Sequence, residues 1–393
     1  MTNARSYQGA SGPSKPAADV RLVAMRIAVD ARALLAPQTG IGTYTRGVAR
    51  ELAARPDTSV GLFLPRAPGA GPDGLGRAEV LADASPLGTL WVQTTLPRRA
   101  RAWGADALLA ALTIAPAHGD VPAVSVVHDL TPWTHPEWHA DRTLLGFLPL
   151  WERTVERAAR LLCVSRATAD DLLRLYPEAR PRVRVVWNGV DAEFTPAPDE
   201  AARESARSRY AGGRPYVLYL GTLEPRKNVE TLVAAAEILW SAPGARPDLV
   251  LAGGLGWKTA ALESRIARSP FRDRIHLPGY ASREAALALY RGAEAFVYPS
   301  HAEGFGLPVV EAMACAVPTV ASDTPALTEV GGDAALYAPA GDAGALAAAI
   351  LRALDDPDTR RRLQTEGPAR AALFSWKTAA AQTAAVLAEA AAS

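Results

Sequence analysis

His301-Ala302-Glu303-Gly304-Phe305-Gly306-Leu307-Pro308-Val309-Val310-Glu311-Ala312 follows a short apolar run, Ala295 to Tyr298, and its reading decides the fold. A buried strand gives way to a glycine-bearing loop and then to a helix. Gly304 and Gly306 let the backbone approach a ligand closely, and Pro308 suits a first helical position, where its missing N–H costs nothing. Such a loop offers free amides and the positive end of a helix to an anion, the arrangement that holds phosphate. Glu303 falls in the loop. Glu311, about a turn into the helix, points a carboxylate at hydroxyl groups beside the phosphate, as a ribose presents them. The alternative is a plain strand-to-helix turn with two solvated glutamates.

Outward from this stretch, short β-rich runs alternate with helical segments, which predicts parallel sheets with helices on both faces. In the first half the expected strands are Met25 to Ala31, Val60 to Leu64, Ala105 to Ala110, Ala123 to Leu130, Arg160 to Ser165 and Val183 to Trp187. In the second half they are Tyr216 to Leu223, Asp248 to Ala252, Arg274 to Leu277, Ala295 to Tyr298, Pro318 to Ala321 and Ala334 to Tyr337. At 393 residues the chain exceeds one core of ordinary size. The expected division is a disordered leader over 1–24, a first domain over 25–195, a second domain over 196–375, and a last helix over 376–393 that packs back toward the first domain. Thr195 to Arg214, which includes a charged helix-like stretch, reads as the linker, and Pro65 to Pro86 as a surface loop. Ligands of open parallel sheets bind beyond the carboxyl ends of strands, so two facing sheets would put the chemistry in a cleft between them.

Lysine plus arginine number 42 against 41 aspartates plus glutamates, so no global field would draw a nucleic acid. Any bound anion must be held locally. Cys163 and Cys315 lie in apolar surroundings without partners at metal-ligand spacing, and read as small buried hydrophobes in a reducing, cytoplasmic compartment. No run of about 18 uncharged apolar residues suggests a spanning helix. There is no G-x-S-x-G, no H-E-x-x-H and no Walker loop, and Asp356-Pro357-Asp358 reads as a turn with capping aspartates, not a metal pair.

Three further stretches fall where a cleft ligand would lie. Gly221-Thr222-Leu223-Glu224-Pro225-Arg226-Lys227-Asn228 follows a strand and precedes a helix, with Asn228 a candidate N-cap. Cations at a helix start oppose its dipole, so Arg226 and Lys227 need another reason to be there; a diphosphate supplies one, and pairing with Glu224 and Glu230 supplies the other. His128-Asp129 ends a buried strand, followed by Trp133, His135, Trp138, His139 and Trp151; His128 either reaches a cleft ligand or bonds to backbone. Thr39-Gly40-Ile41-Gly42-Thr43-Tyr44 opens a helix near the first strand but lacks the spacing of the dinucleotide fingerprint.

Together these residues resemble the retaining nucleotide-sugar glycosyltransferases of family 4, marked by a pair of glutamates separated by seven residues, here Glu303 and Glu311. The resemblance runs from Met25 to the last helix, and it implies that 25–195 is the acceptor-side domain and 196–375 the nucleotide-sugar-binding domain, both Rossmann-like. It implies the two-domain GT-B fold and a metal-independent reaction without cofactor. On this resemblance Glu303 would hold the hydroxyls of the transferred sugar, Phe305, Gly306 and Leu307 would offer amides to sugar and phosphates, and Glu311 would grip the ribose. Lys227 aligns with the family's diphosphate lysine. Thr222 stands where the family often has an arginine, and Arg226 would supply that charge. His128 resembles the histidine that touches the donor sugar, and Gly40 with Gly42 the loop that closes over donor and acceptor. The implied partners are a nucleotide diphosphate sugar, weakly GDP-mannose, and a hydroxyl acceptor: a sugar, a lipid-linked sugar or a small molecule. Peripheral association with the inner membrane face is compatible with this, and Trp133 to Trp151 would either dock an acceptor or lipid headgroup or pack a core. A hydrolase or epimerase on the same fold, and a non-catalytic sugar-nucleotide-binding protein, are the alternative readings.

Overall fold

The computed structural model describes residues 24–35, 39–68, 74–85 and 88–393. The leader expected over 1–24 lies outside them apart from Ala24.

Two parallel sheets organise the chain. The first contains β1 (Met25–Asp30), β2 (Thr58–Leu64), β3 (Glu79–Ala82), β4 (Ala107–Ala110), β5 (Ala123–Val127), β6 (Arg160–Cys163) and β7 (Val183–Val185), in the order β3-β2-β1-β4-β5-β6-β7. The second contains β8 (Tyr216–Leu220), β9 (Asp248–Ala252), β10 (Ile275–Gly279), β11 (Ala295–Tyr298), β12 (Thr319–Ser322) and β13 (Leu336–Ala338), in the order β10-β9-β8-β11-β12-β13. Strands β4, β5, β9, β11 and β12 are buried along their whole length, as strands covered by helices on both faces must be. In both sheets the order reverses beside the first strand, β1 or β8, which opens a crevice at the carboxyl ends.

One expectation needs correction. Strand β3 lies inside the stretch read as the loop Pro65 to Pro86. Glu79, Val80 and Ala82 are exposed on this edge strand and Leu81 alone packs on the core, so it shows no alternation for a periodic signal to report. The stretch Thr195 to Arg214 keeps the charged helical segment expected within it. It holds a helix, Glu200–Ala211, capped by the Asp199 carboxylate on the Ala202 amide and ended by Gly212 at φ 59°. Ala206 and Ala211 of that helix are buried, and Ala206 lies against Gly292, so tightly that a Cβ there would meet its side chain at 2.7 Å. Cys163 and Cys315 are both buried free thiols.

The chain crosses between the sheets twice, and the crossings touch. Val190 bridges Ser375, and Gly189 lies so close to Trp376 that a Cβ would fall 2.1 Å from its amide nitrogen. The final helix, Trp376–Ala391, then lies on the first sheet. Gly47 accepts the Trp376 ring, where a Cβ would meet it at 2.3 Å, and Arg184 pairs with Glu389 at 2.8 Å.

Candidate active site

A cavity of about 490 Å³ opens between the carboxyl ends of the two sheets, a size suited to a small-molecule ligand. Of the residues singled out from the sequence, Gly40, His128, Thr222, Arg226, Lys227, Glu303, Phe305, Gly306, Leu307 and Glu311 line it. Gly42 does not. It is buried in the first turn of the helix Gly40–Ala54, where its N–H donates to Thr39 Oγ1 at 3.3 Å.

The loop after β11 forms the floor. Gly306 adopts φ 98°, a conformation that favours glycine, and ends the loop at the helix Leu307–Ala314, which has Pro308 in its first turn and no side-chain cap. Pro308 has no N–H and the Val309 amide donates to the Gly306 carbonyl at 2.9 Å, which leaves the Leu307 amide at the helix start for a ligand. Phe305 is buried against Phe374, ring centres 5.5 Å apart, and anchors the loop to the second crossing. Gly304 meets the first domain so closely that a Cβ would lie 1.5 Å from the His128 carbonyl oxygen, and its own carbonyl accepts from Thr168 Oγ1 at 3.1 Å.

The cations after β8 converge on Glu303. Lys227 Nζ donates to Glu303 Oε1 at 2.6 Å and to the Tyr298 hydroxyl at 2.8 Å. Arg226 Nη1 donates to Glu303 Oε2 at 3.1 Å and to the Ala302 carbonyl at 3.0 Å, and Nη2 donates to Glu224 at 3.0 Å. Burial would raise the Glu303 carboxyl, but Lys227 and Arg226 bring it below the usual carboxylate range, so it is ionised. Asn228 stands at the N-cap of the helix Val229–Ser241, as read from the sequence, with its backbone left-handed at φ 54°, but its side chain bonds no backbone N–H of that helix. Its Oδ1 accepts from the Thr231 hydroxyl at 2.6 Å and its Nδ2 donates to the Pro299 carbonyl at 3.0 Å, tying the β8 loop to the β11 loop.

Glu311 is the opposite case. It accepts from the Tyr290 hydroxyl at 2.9 Å, and burial pushes its carboxyl up to about 7. His128 donates Nε2–H to the Ala111 carbonyl at 2.7 Å, since the carbonyl can only accept. Burial lowers its imidazole below the ordinary value, which leaves Nδ1 as an unprotonated acceptor.

Sequence reading gave no site role to Asp129, Tyr298 or Arg283 and named Glu224 only as a pairing partner of the cations, yet all four line the cavity. Asp129 and Glu224 carried a signal in being the acids adjoining His128 and the Arg226-Lys227 pair. Tyr298 and Arg283 carried none, because their roles depend on which strand ends the topology brings together. In the aromatic stretch, Trp151 is fully buried and packs on Trp133 at 4.8 Å, a core contact that removes it from any docking surface.

Two facing parallel α/β domains, with a helix start and two buried cations at the cleft between them, define a GT-B transferase. Family models agree along the chain: residues 38–194 match "Glycosyltransferase Family 4" and residues 201–370 match "Glycosyl transferases group 1". O-antigen chain mannosyltransferase B of Escherichia coli is 33% identical over 66% of this chain and 68% of its own length. Among solved structures, sucrose-phosphate synthase from Thermosynechococcus elongatus superposes with a TM-score of 0.73 at 25% identity, covering 94% of this chain and all of that one. Anabaena HepE in complex with UDP-glucose gives 0.73 at 20% identity, over 93% of this chain and 99% of that one. The chain belongs to glycosyltransferase family 4 and is a glycosyltransferase of the GT-B fold.

Proposed function

We infer that the enzyme transfers a hexose from a nucleotide diphosphate sugar to a hydroxyl acceptor with retention at the anomeric carbon, using no metal. The observation that carries this reading is the ionised Glu303 held between Lys227 and Arg226 in a cavity that also receives the uncapped helix start. The C1–O bond to the diphosphate breaks, the acceptor oxygen bonds to C1 on the same face, and its proton passes to the departing phosphate oxygen. No protein nucleophile is required. Charge grows on the leaving group, where Lys227, Arg226 and the amides of Phe305 to Leu307 meet it, so these groups act mainly in the transition state. Neutralisation of the diphosphate is assigned to these cations; among the described residues no group of three or more His, Cys, Asp or Glu side chains is placed to hold a metal ion.

Mannose from GDP-mannose is the favoured donor, supported by the resemblance of the stretches around Tyr44 and Gly221 to Asn228 to mannosyltransferases of surface polysaccharide assembly and by the mannosyltransferase relative. The product would enter a glycan, polysaccharide or glycolipid. Among the described residues no helix is long and apolar enough to cross a membrane; we place the activity in the cytoplasm, with peripheral contact at the inner membrane face. The test is turnover of a nucleotide-sugar panel with and without sugar acceptors, in the presence of EDTA, with the anomeric proton of the product read by NMR. Retention in EDTA supports the reading. Inversion, a metal requirement at the chemical step, or acceptor-independent hydrolysis alone overturns it.

A further inference from the structure

The first domain contributes little charge to the cavity. Of the described lining residues that it supplies, Asp129 alone is charged, while His128 is kept neutral and Thr39, Thr43 and Asn188 are uncharged. Asp129 is also oriented. Its Oδ1 accepts from the Thr131 amide at 3.0 Å and from the Thr131 hydroxyl at 2.6 Å. Having donated its one proton, that hydroxyl accepts from Nε2 of buried His139 at 3.0 Å. The other oxygen, Oδ2, has no hydrogen-bond partner among the described residues.

Asp129 is half-buried and lines the cavity, so its second oxygen is not enclosed in the core. It adds to the field that Glu303 and Glu224 set on Arg226, but unlike them it makes no hydrogen bond to either cation. Burial would raise its carboxyl, but Arg226, the Thr131 bonds and Lys227 hold it below the usual range, so it stands ionised. Its position is against the floor loop: a Cβ on Gly304 would lie 3.2 Å from the Asp129 Cβ. An anchored, ionised carboxylate with one unpartnered oxygen, on the domain opposite the Lys227 cluster, suits a hydroxyl donor arriving from that side.

We propose that Asp129 is an acceptor-binding residue, accepting a hydrogen bond from an uncharged sugar acceptor and disfavouring phosphorylated acceptors by charge. This rests on the transferase reading above. A phosphate on the acceptor would meet both the donor's diphosphate and Asp129, with no cation on the first domain's side of the lining to offset them. Thr131 and His139 are positioning residues that fix the carboxylate.

The experiment saturates the enzyme with whichever of GDP, UDP or ADP raises its melting temperature most, then titrates methyl α-mannoside and mannose 6-phosphate by ligand-observed NMR. Transfer from the matching sugar nucleotide is measured in parallel. Wild type should take the neutral sugar about tenfold better or more, and Asp129→Asn should lose about tenfold in affinity for it, the effect of neutralising a charged acceptor. Nucleotide affinity should hold or tighten. Thr131→Val should raise the acceptor KM and leave kcat nearly unchanged. Equal binding of both sugars, preference for the phosphate, binding of neither, or an Asp129→Asn variant that keeps the wild-type preference each overturns the proposal. Absence of turnover alongside discriminating binding would instead overturn the transferase reading.

Discussion

Glu311→Gln tests whether the buried carboxylate is kept for a ligand at the expense of stability. With its carboxyl at about 7 in the folded chain against an ordinary 4.5, Glu311 is a group whose pKa is raised by folding. Its contribution to stability is fully present below the unfolded value and is lost as pH rises through the folded one. Glutamine has no such dependence and still accepts from Tyr290. At pH 8 the variant should therefore exceed wild type by up to about 3 kcal/mol, less to the extent that the cavity wets the carboxylate. At pH 5 the difference should shrink below about 1 kcal/mol. Other titrating groups are common to both proteins and cancel. Urea melts at pH 5, 6, 7 and 8 give the difference directly. The same variant should bind nucleoside diphosphate more weakly at pH 8, where the carboxylate is charged and accepts ribose hydroxyls. A variant less stable than wild type at pH 8, or a stability difference flat with pH, would refute the reasoning.

Lys227→Ala should lower kcat by roughly 10²- to 10³-fold with a smaller effect on donor KM, because its contact strengthens as the diphosphate leaves; steady-state kinetics with unchanged kcat and KM would remove Lys227 from the reaction. Glu303→Gln should keep nucleotide binding, measured by calorimetry, and lose turnover; activity equal to wild type counts against its role at the sugar. Gly304→Ala should cost catalysis far more than stability, since its Cβ would strike the His128 carbonyl across the cleft and hold the domains apart; small-angle scattering should show a more open molecule with donor bound, and an unchanged profile with wild-type kcat would contradict this.

The alternation of strands and helices was legible because buried parallel strands are mostly apolar runs, β5 and β9 being broken only by the buried Ser125 and Asp248. The glutamate pair was legible because the glycines and Pro308 that shape the loop leave fixed marks in sequence. What was hidden is relational. Nothing local in Asn228 says that its side chain, besides standing at the start of its own helix, reaches the Pro299 carbonyl 71 residues away. Likewise the pairing of Arg226 with Glu224 was legible from their spacing, whereas Glu303, set on both cations by the fold, was not. Strand β3 was missed because an exposed edge strand pairs through its backbone and leaves no pattern in its side chains.

The stretch Glu303-Gly304-Phe305-Gly306 couples the site to the motion a two-domain transferase needs. Gly306 sets the helix start, Glu303 gathers the cations, Gly304 abuts the His128 carbonyl, and Phe305 packs on Phe374, one residue before the Val190–Ser375 bridge between the two crossings. A second tie lies beside the crossings: Glu329 accepts from the Arg166 and Ala167 amides at 2.9 Å each and from Trp187 Nε1 at 2.7 Å, so a carboxylate of the second domain caps a helix of the first. Opening the cleft about the crossings must break the Gly304 contact but can leave the Glu329 cap, which is near Trp187 at the first crossing, largely in place. In the arrangement where Gly304 meets His128, Asp129 lies in the field of Arg226 and Lys227. If Lys227 and Arg226 hold the leaving diphosphate and Asp129 the acceptor, as proposed, parting the domains removes that coupling, and transfer should require the Gly304 contact.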